Sequence, residues 1–335
     1  MKTDKLISFG NLLSRIRQNN AEEFYQNRFE KLIEGAGQEN AFFTRQNITD
    51  ALDTVAFNLT SRQLNQFQNT VVFNPNELPV RFTSLVAEKD VLSGFPDWIM
   101  AMLNEKPITF QLPENNRKIL PELISWYVKM YPEEKPMITF TEGQVKTPEM
   151  LLTYPLESSE KYLRKYFEKY PGKVRKKQKA AAVITGEESD ETLALLADGI
   201  MKFFNQGAHR ISRLFVPEGY ELDKFMAAFE KWNHLKDHHL YKNNYDYYKS
   251  VYLLNQEEFY DNELILMKHD EQQILSPLSV IYFSYYTDAA DWKSFFEREE
   301  LSGVYAAIKD NCLPFEKVSL PEFHRWENYS KLVSF

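Results

Sequence analysis

The amino-acid sequence predicts an α/β protein with two domains and a helical N-terminal segment. The chain has 335 residues, which exceeds the length of one average domain. From residue 80 onward, short apolar stretches alternate with segments of helical periodicity, as in parallel strands that are joined by helices. Residues 4–34 show helical spacing alone.

The N-terminal segment is predicted to contain a long helix and then a shorter one. Residues 4–34 form the first, and Gly35 and Gly37 are predicted to end it, because glycine adopts the left-handed conformation of helix ends. Thr44 is predicted to cap the second helix, residues 45–58, because its hydroxyl can accept a hydrogen bond from a free N–H group.

The later elements follow from the alternation. Strands are predicted at residues 80–87, 108–112, 137–141, 150–154, 180–185, 214–217, 251–254, 263–267 and 280–285. Helices are predicted at residues 96–104, 120–131, 159–170, 192–204, 222–232 and 289–300. This order predicts parallel βαβ units with helices on both faces.

Charge and composition exclude several classes of function. The net charge of −8 gives no reason to expect nucleic-acid binding. No apolar run reaches the ~18 residues of a transmembrane helix, and no signal peptide is recognised, so a cytoplasmic location is expected. Cys312 is the single cysteine, which excludes an intramolecular disulfide and a cysteine-based zinc site. No metal is predicted.

Several segments together resemble one known family. They are residues 169–176, 182–187, 203–217, 238–247 and 275–280, with weaker similarity at 39–44 and 93–97. Jointly these motifs are similar to the LuxC-type fatty acyl-CoA reductases. The resemblance spans nearly the whole chain and is clearest over residues 160–285.

The resemblance implies an aldehyde dehydrogenase-like fold. A helical segment (1–69) would precede a Rossmann-like nucleotide-binding domain (70–180) and an α/β catalytic domain (181–310). The tail (311–335) would return to the first domain. The family reduces fatty acyl-CoA to aldehyde with NADPH, after a cysteine thiolate has taken the acyl group as a thioester.

The family's nucleophile position is occupied here by Ala208. Loss of a nucleophile costs about 10⁶-fold in turnover in a serine protease. Cys312 is the alternative nucleophile, with a small, partly buried thiol as the structural interpretation.

Two cofactor loops also depart from the family. The loop over residues 88–94 lacks the family's glycine-asparagine-proline pattern and carries Glu88 and Asp90, which repel a phosphate. The loop over 153–157 lacks its glycine, and Pro155 removes a backbone donor. NADPH is therefore expected by resemblance, while these losses argue against its binding.

The resemblance assigns the remaining site residues. Ser93, Gly94 and Gly186 are predicted to lie at the cofactor. His209, Asn243, Asn244 and Tyr245 are predicted to line the substrate pocket.

Four segments leave two interpretations open. Residues 234–239 form a metal site or a turn with hydrogen-bonded histidines, and residues 243–246 form a pocket loop or a plain turn. The basic run 173–179 holds a ligand phosphate or is a solvated loop. A tyrosine stripe lines an acyl tunnel or packs in the core; its members are Tyr241, Tyr245, Tyr247, Tyr248 and Tyr252.

Two functional hypotheses follow. The first is a LuxC-like reductase homologue that has lost reductase chemistry and acts as a binding or interaction protein. Its expected partners are an acyl-CoA or acyl-carrier ligand and a protein partner or second copy of the chain. The second is an active acyl-CoA reductase that uses Cys312 or a nucleophile supplied by a partner.

Overall fold

The protein is described here from a computed structural model. The structure describes residues 2–71, 80–86, 90–143, 145, 148–154, 161–162, 165, 168, 172–174, 180–206, 210–273, 275–298, 303–307 and 312–323.

The backbone forms two compact units. Unit 1 comprises Met1–Lys177 together with Glu322–Phe335, and unit 2 comprises Gln178–Pro321. The family resemblance implied domain functions and slightly different boundaries, and these remain predictions.

Unit 1 begins with four helices. They are α1 (Lys2–Arg17), α2 (Glu23–Glu39), α3 (Arg45–Asn58) and α4 (Ser61–Val71). The single helix predicted over 4–34 is wrong, because the chain turns between α1 and α2, where Asn19 has a φ of +54°. Gly35 and Gly37 lie inside α2 and do not end it. The predicted cap is confirmed, since the Thr44 hydroxyl accepts a 3.2 Å hydrogen bond from Asn47 N.

The rest of unit 1 is an open parallel sheet with flanking helices. Its strands are β1 (Phe82–Val86), β2 (Ile108–Gln111), β3 (Ile138–Thr141), β4 (Met150–Tyr154) and β5 (Gly172–Val174). Its helices are α5 (Phe95–Leu103) and α6 (Ile119–Met130), with 3-10 turns at Glu114–Asn116 and Pro132–Met137. The strand order is β3-β2-β1-β4-β5. Phe82 of β1 lies opposite Ile108 on one side and Met150 on the other.

An aromatic cluster joins α1, α5 and α6. The rings of Phe9, Trp98 and Tyr127 pack edge to face, with centroids 5.8 Å, 5.5 Å and 5.1 Å apart. All three side chains are fully buried. Edge-to-face pairs of this kind stabilise beyond their area burial, so the cluster fastens the N-terminal helix to the sheet layer.

A buried carboxylate in the 3-10 turn Pro132–Met137 gives α1 a second attachment within unit 1. Glu134 is 1% exposed and accepts hydrogen bonds from Lys2 and from Lys5, the latter at 2.6 Å. Burial alone raises the pKa of Glu134, but the bonds from both lysines more than offset it and hold the pKa below its usual range. The neighbouring Glu133 is largely exposed and accepts a hydrogen bond from Lys5.

The C-terminal part of the described chain returns to unit 1. Gln63 Nε2 donates to Glu322 Oε1 at 3.0 Å, and Phe323 N donates to Asn58 Oδ1 at 2.8 Å. All four residues are buried. Unit 1 is therefore built from two segments of chain that are far apart in sequence.

Unit 2 contains a six-stranded sheet. Its strands are β6 (Ala180–Val183), β7 (Ile211–Pro217), β8 (Tyr260–Asp261), β9 (Leu266–His269), β10 (Val280–Tyr286) and β11 (Gly303–Ala306). Its α-helices are α7 (Asp190–Met201), α8 (Leu222–Ala227), α9 (His239–Leu254) and α10 (Ala289–Arg298). The 3-10 turns are Lys202–Asn205, Glu230–Asp237 and Phe315–Lys317. The order is β11-β6-β7-β10-β9-β8, and only β8 is antiparallel.

Helix α9 replaces two predicted features. The strand predicted over 251–254 and the loop or turn predicted over 243–246 are both wrong, because these residues are helical. In a helix, residues spaced by three or four positions share one face. Tyr245 and Tyr252 therefore meet Leu266 and Val280 in one buried cluster, with Tyr248 packed against it. The core interpretation of the stripe holds for these residues, whereas Tyr247 is 61% exposed.

The other predicted elements overlap the observed ones, although the helix predicted over 222–232 ends at Ala227 and is followed by a 3-10 turn. The helix predicted over 159–170 falls mostly outside the described residues. Helix α4 and strands β5, β8 and β11 were not predicted. Within the part of the chain that the structure describes, no helix combines the length and apolar character needed to cross a membrane.

Candidate functional site

The strand order of unit 1 defines where a ligand site is expected. The chain moves from β1 to β2 on one side and later returns to β4 on the other side of β1. In open parallel sheets, ligands bind beyond the carboxyl ends of the strands at such a reversal of strand order. The residues that follow β1 and β4 are therefore the first candidates.

The turn after β1 is held by a buried carboxyl group. Asp90 Oδ1 accepts a 3.3 Å hydrogen bond from Leu92 N, and the Asp90 carbonyl accepts bonds from Ser93 N at 3.1 Å and Asn116 Nδ2 at 3.0 Å. Burial raises the pKa of Asp90 to about 6, and the backbone N–H donors of the turn only partly oppose this rise. The carboxyl group thus serves the turn itself.

Gly94 comes next and allows a close approach within the protein. Its φ is +88°, and a Cβ atom at this position would lie 2.7 Å from Leu120 Cδ2. Phe110 and Val86 would lie within 3.5 Å of the same atom. Side chains of the protein fill the space that a Cβ of residue 94 would enter, so the glycine serves the packing of this turn. Ser93 is half-buried beside it.

The first turn of α5 is poorly suited to a phosphate. Phe95 N donates to Leu92 O, and Pro96 has no N–H group to offer. Asp97 is buried in the same turn and accepts a 2.6 Å hydrogen bond from Ser84 Oγ. A helix N-terminus binds anions through free N–H groups and the positive end of its dipole. Here the first turn carries a buried carboxylate and a proline, so the described residues of this turn do not fit a dinucleotide diphosphate.

The end of β4 is also closed by internal bonds. Thr153 is buried, and its hydroxyl donates to the Leu85 carbonyl at 2.8 Å. Pro155 and the rest of the loop that departs from the family lie outside the described residues, as does Glu88.

Gly186 lies in unit 2, in the turn after β6. The buried carboxylate of Glu188 accepts hydrogen bonds from Thr185 N, Thr185 Oγ1 and Gly186 N at 2.8–2.9 Å. Gly186 has a φ of +93°, which explains the glycine. Its N–H group already has a partner within the turn, and its predicted cofactor role stays a prediction.

The segment before residues 207–209 has an unusual backbone. Phe203, Phe204 and Asn205 have φ values of +55°, +56° and +52°, and all three are buried. Non-glycine residues in the left-handed region cost about 1–3 kcal/mol each and cluster at binding and catalytic sites. Ala208 and His209 follow directly and lie outside the described residues.

Asn205 anchors this strained segment to β7. Its Nδ2 donates to the Ile211 carbonyl at 2.8 Å. The Oδ1 atom of the same side chain is buried without a hydrogen-bond partner among the residues that the structure describes. An unpaired buried acceptor is costly unless something else satisfies it. Apart from its place in the motif over 203–217, no pattern in the sequence points to this residue.

The predicted pocket residues of α9 have structural partners. Asn243 is exposed, and Asn244 Nδ2 donates to the Leu240 carbonyl at 3.1 Å. Tyr245 is buried and donates a 2.6 Å hydrogen bond to Asp261 Oδ1, and burial raises the pKa of Tyr245 to about 12. These contacts explain the residues through packing, and their predicted role in a substrate pocket stays a prediction.

Cys312 packs against an apolar cluster of unit 2. The cluster contains Phe215, Trp292 and Phe295, and the thiol is partly buried against it. This environment matches the structural interpretation of the thiol. The proposal that Cys312 is a nucleophile stays open.

The histidine-rich segment 234–239 forms helical structure. His238 caps α9, since its Nδ1 accepts from Tyr241 N at 3.3 Å, and its ring lies 4.6 Å from that of Phe204. Among the described residues, no group of three histidine, cysteine or acidic side chains is placed to hold a metal ion. Of the basic run 173–179, only Lys173 and Val174 are described, within β5.

Comparison with known proteins identifies the fold. No family model matches the sequence, and no curated protein matches it. Solved structures do match. The aldehyde dehydrogenase KauB from Pseudomonas aeruginosa has a TM-score of 0.63 at 11% identity, over 98% of this chain and 82% of that chain.

Two further structures give the same result. An indole-3-acetaldehyde dehydrogenase in complex with NAD⁺ matches with a TM-score of 0.63 at 10% identity, over 95% of this chain and 74% of that chain. The Mycobacterium tuberculosis aldehyde dehydrogenase complexed with NAD⁺ matches with a TM-score of 0.58 at 12% identity, over 91% and 74%. The chain therefore has an aldehyde dehydrogenase-like fold, built from parallel sheets and an N-terminal helical segment.

Proposed function

We propose that this protein is a LuxC-like acyl-CoA reductase homologue that has lost reductase chemistry and acts as a binding or interaction protein. The aldehyde dehydrogenase-like fold supports descent from an oxidoreductase of that kind. Structural neighbours were solved with NAD⁺ or NADP bound. Such a cofactor, where it binds, accepts or donates hydride.

The observation that carries the proposal is the closed turn between β1 and α5. Asp90 and Asp97 place two buried carboxyl groups where a diphosphate would need N–H donors and positive potential. Leu120 fills the space beside Gly94. Negative charge and apolar side chains therefore stand where the described part of this turn would have to receive a diphosphate.

The sequence at position 208 supports the same conclusion. An alanine has no group that can take an acyl chain as a thioester. The strained backbone at Phe203–Asn205 nevertheless persists before it. Retained strain next to a lost nucleophile fits a protein that keeps a binding surface without the chemistry.

The proposed ligands are an acyl-CoA or an acyl carrier, and the proposed partners are another protein or a second copy of the chain. Each could use the former acyl site without hydride transfer. The family's use of NADPH, which the resemblance implies, is not part of the function proposed for this protein.

The test is a titration of the purified protein with NADPH and a long-chain acyl-CoA, followed by nicotinamide absorbance and aldehyde analysis. We expect neither NADPH oxidation nor aldehyde. Steady NADPH consumption with matching aldehyde formation would overturn the proposal.

Ala208→Cys sharpens this test, with Ala208→Ser as a control of similar size. The cysteine variant is expected to gain at most an acyl adduct, visible as a mass increase, without sustained reduction. Full reductase activity from this one substitution would show that the turn after β1 still admits the cofactor.

A further inference from the structure

A basic cavity lies in unit 1, and none of its lining residues belongs to the turn after β1. It has a volume of about 410 Å³ and lies between α2 and the start of α6. Its lining residues are Arg28, Lys31, Leu32, Gly35, Arg117, Lys118, Pro121 and Glu122. Four of these carry a positive charge and one a negative charge, in a chain whose net charge is −8.

Among the residues that the structure describes, one of the four cations has a carboxylate partner at close range. Arg28 Nε and Nη2 donate to the two oxygens of Glu122 at 2.6 Å and 2.5 Å. Two parallel hydrogen bonds of this kind are the strong geometry of an arginine–carboxylate contact. The one carboxylate in the lining is therefore already paired with Arg28.

The other three cations are paired less closely, and a second carboxylate lies beside them, since Glu39 Oε2 accepts a 3.2 Å hydrogen bond from Arg117 N. Lys118 Nζ donates to a neutral acceptor, the Gly35 carbonyl, at 2.9 Å. Arg117 lies 3.8 Å from Glu142, whose side chain is 86% exposed and so interacts weakly. Lys31 is exposed and makes no ion pair or hydrogen bond within the described parts of the chain.

The start of α6 adds to this positive potential. Lys118 is the residue before the helix and supplies no capping hydrogen bond from its side chain. Pro121 and Glu122 stand in the first turn of the helix and line the cavity. The positive end of a helix dipole favours a negative charge near its first turn.

We propose that this cavity binds the phosphate group of a small-molecule ligand, as a phosphate monoester or a diphosphate. Its volume lies in the range of small-ligand sites, about 300–1,000 Å³. Lysine and arginine side chains bind phosphate oxygens through charge-assisted hydrogen bonds. Lys31 and Lys118 contribute the uncompensated charge, and Arg117 the second fork of donors. The site is independent of the proposed loss of reductase chemistry.

The experiment uses inorganic pyrophosphate as the probe, by isothermal titration calorimetry of the full chain at constant ionic strength. Wild type is expected to show saturable binding at one site. Lys31→Gln should weaken it by about two- to fivefold, the range for loss of one exposed charged contact. Lys135→Gln is the matched control, since Lys135 is exposed in the same unit and lies outside the lining; it should bind as wild type does.

Glu122→Gln tests whether the negative charge in the lining opposes pyrophosphate binding. Removing the only carboxylate of the lining should tighten pyrophosphate binding, whereas a merely structural role of this residue would weaken it. The glutamine can still accept the hydrogen bond that Trp126 Nε1 donates to Glu122 at 2.7 Å, so folding is expected to be retained.

Three results would overturn the proposal. The first is the absence of saturable heat up to about 10 mM pyrophosphate, a concentration far above the dissociation constant expected of a specific site. The second is an equal loss of binding in Lys31→Gln and Lys135→Gln, which would indicate diffuse charge. The third is binding of phosphatidylglycerol vesicles that Lys31→Gln abolishes, which would assign the site to a lipid headgroup on a membrane.

Discussion

The side-chain amide of Asn116 donates a 3.0 Å hydrogen bond to the backbone carbonyl of Asp90. This bond ties the turn after β2 to the turn after β1, at the edge of the sheet where parallel strands end. Both residues are buried. The turn that would face a cofactor is therefore fixed by the protein's own polar groups, and this arrangement can be tested by mutation.

Asp90→Asn is expected to stabilise the protein at neutral pH by about 3 kcal/mol. The pKa of this carboxyl group rises from 3.8 to about 6 on folding, so the buried group resists ionisation. An asparagine keeps an oxygen that can accept from Leu92 N and carries no charge. The measurement is urea unfolding of wild type and variant between pH 4 and pH 8.

The pH dependence of this effect has a defined sign. Because the folded pKa lies above the unfolded one, the folded state binds more protons between about pH 4 and pH 6. Stability of the wild type should fall as pH rises through that window and level off above it. The gain from Asp90→Asn should shrink toward pH 4, and a gain that is constant with pH would contradict the assigned ionisation.

Gly94→Ala is expected to destabilise the protein by about 3 kcal/mol, through backbone strain at φ +88° and contact with Leu120. Gly219→Ala is the matched control. Gly219 has a φ of +78°, but no atom lies within 4 Å of its added Cβ, so it should lose only about 1 kcal/mol. Thermal unfolding of both variants gives the comparison.

A second variant isolates the contact with Leu120. In a Leu120→Ala background, Gly94→Ala should cost less than it does in wild type, because the side chain that it meets has been shortened. Equal costs in the two backgrounds would show that Leu120 moves aside freely.

Glu134→Gln is expected to cost about 2 kcal/mol at pH 7, because it leaves Lys2 and Lys5 without their buried carboxylate partner. The folded pKa of Glu134 is lowered, so its stabilisation is present above its unfolded pKa and is lost as pH falls through the folded value. The difference between wild type and variant should therefore be larger at pH 7 than at pH 3.

Glu133→Gln serves as the control for that variant. Glu133 is 60% exposed and its side chain pairs with Lys5 near the surface, so its substitution should change the free energy of unfolding by no more than about 0.5 kcal/mol. Equal losses from the two substitutions would show that burial of Glu134 has no special role.

The thiol of Cys312 is expected to remain unmodified by acyl-CoA, because it packs against the apolar cluster around Trp292. Intact-mass spectrometry after incubation with acyl-CoA is the measurement, and Cys312→Ala is the control that retains packing. A mass increase in wild type that disappears in Cys312→Ser would instead establish Cys312 as an acyl acceptor.

The sequence predicted strands best where they are buried on both faces. The stretch 180–183 is apolar throughout and fully buried in the sheet, so its composition alone identified it. Helix α9 was harder, because tyrosine and asparagine favour other structures. A helix was nevertheless indicated by the spacing of four and three residues between Tyr241, Tyr245, Tyr248 and Tyr252. Packing of this helix against Leu266 and Val280 decides the outcome.

The candidate site was only partly predictable for a different reason. Glu88 and Asp90 were recognised as negative charges, but the burial of Asp90 and its bond from Asn116 depend on a neighbour 26 residues away. The basic cavity likewise joins α2 to residues 117–122, which no local pattern connects. Long-range placement of polar groups is the part that a single sequence does not reveal.

The bonds from Asn58 and Gln63 to residues 323 and 322 have a consequence for synthesis on the ribosome. Each pair is separated by about 260 positions. At roughly 5–20 residues per second, the nascent chain waits on the order of 10 to 50 s after α3 and α4 emerge before their last partners exist. During that time these helices expose polar groups that the finished protein conceals, and a chaperone has its opportunity to bind there.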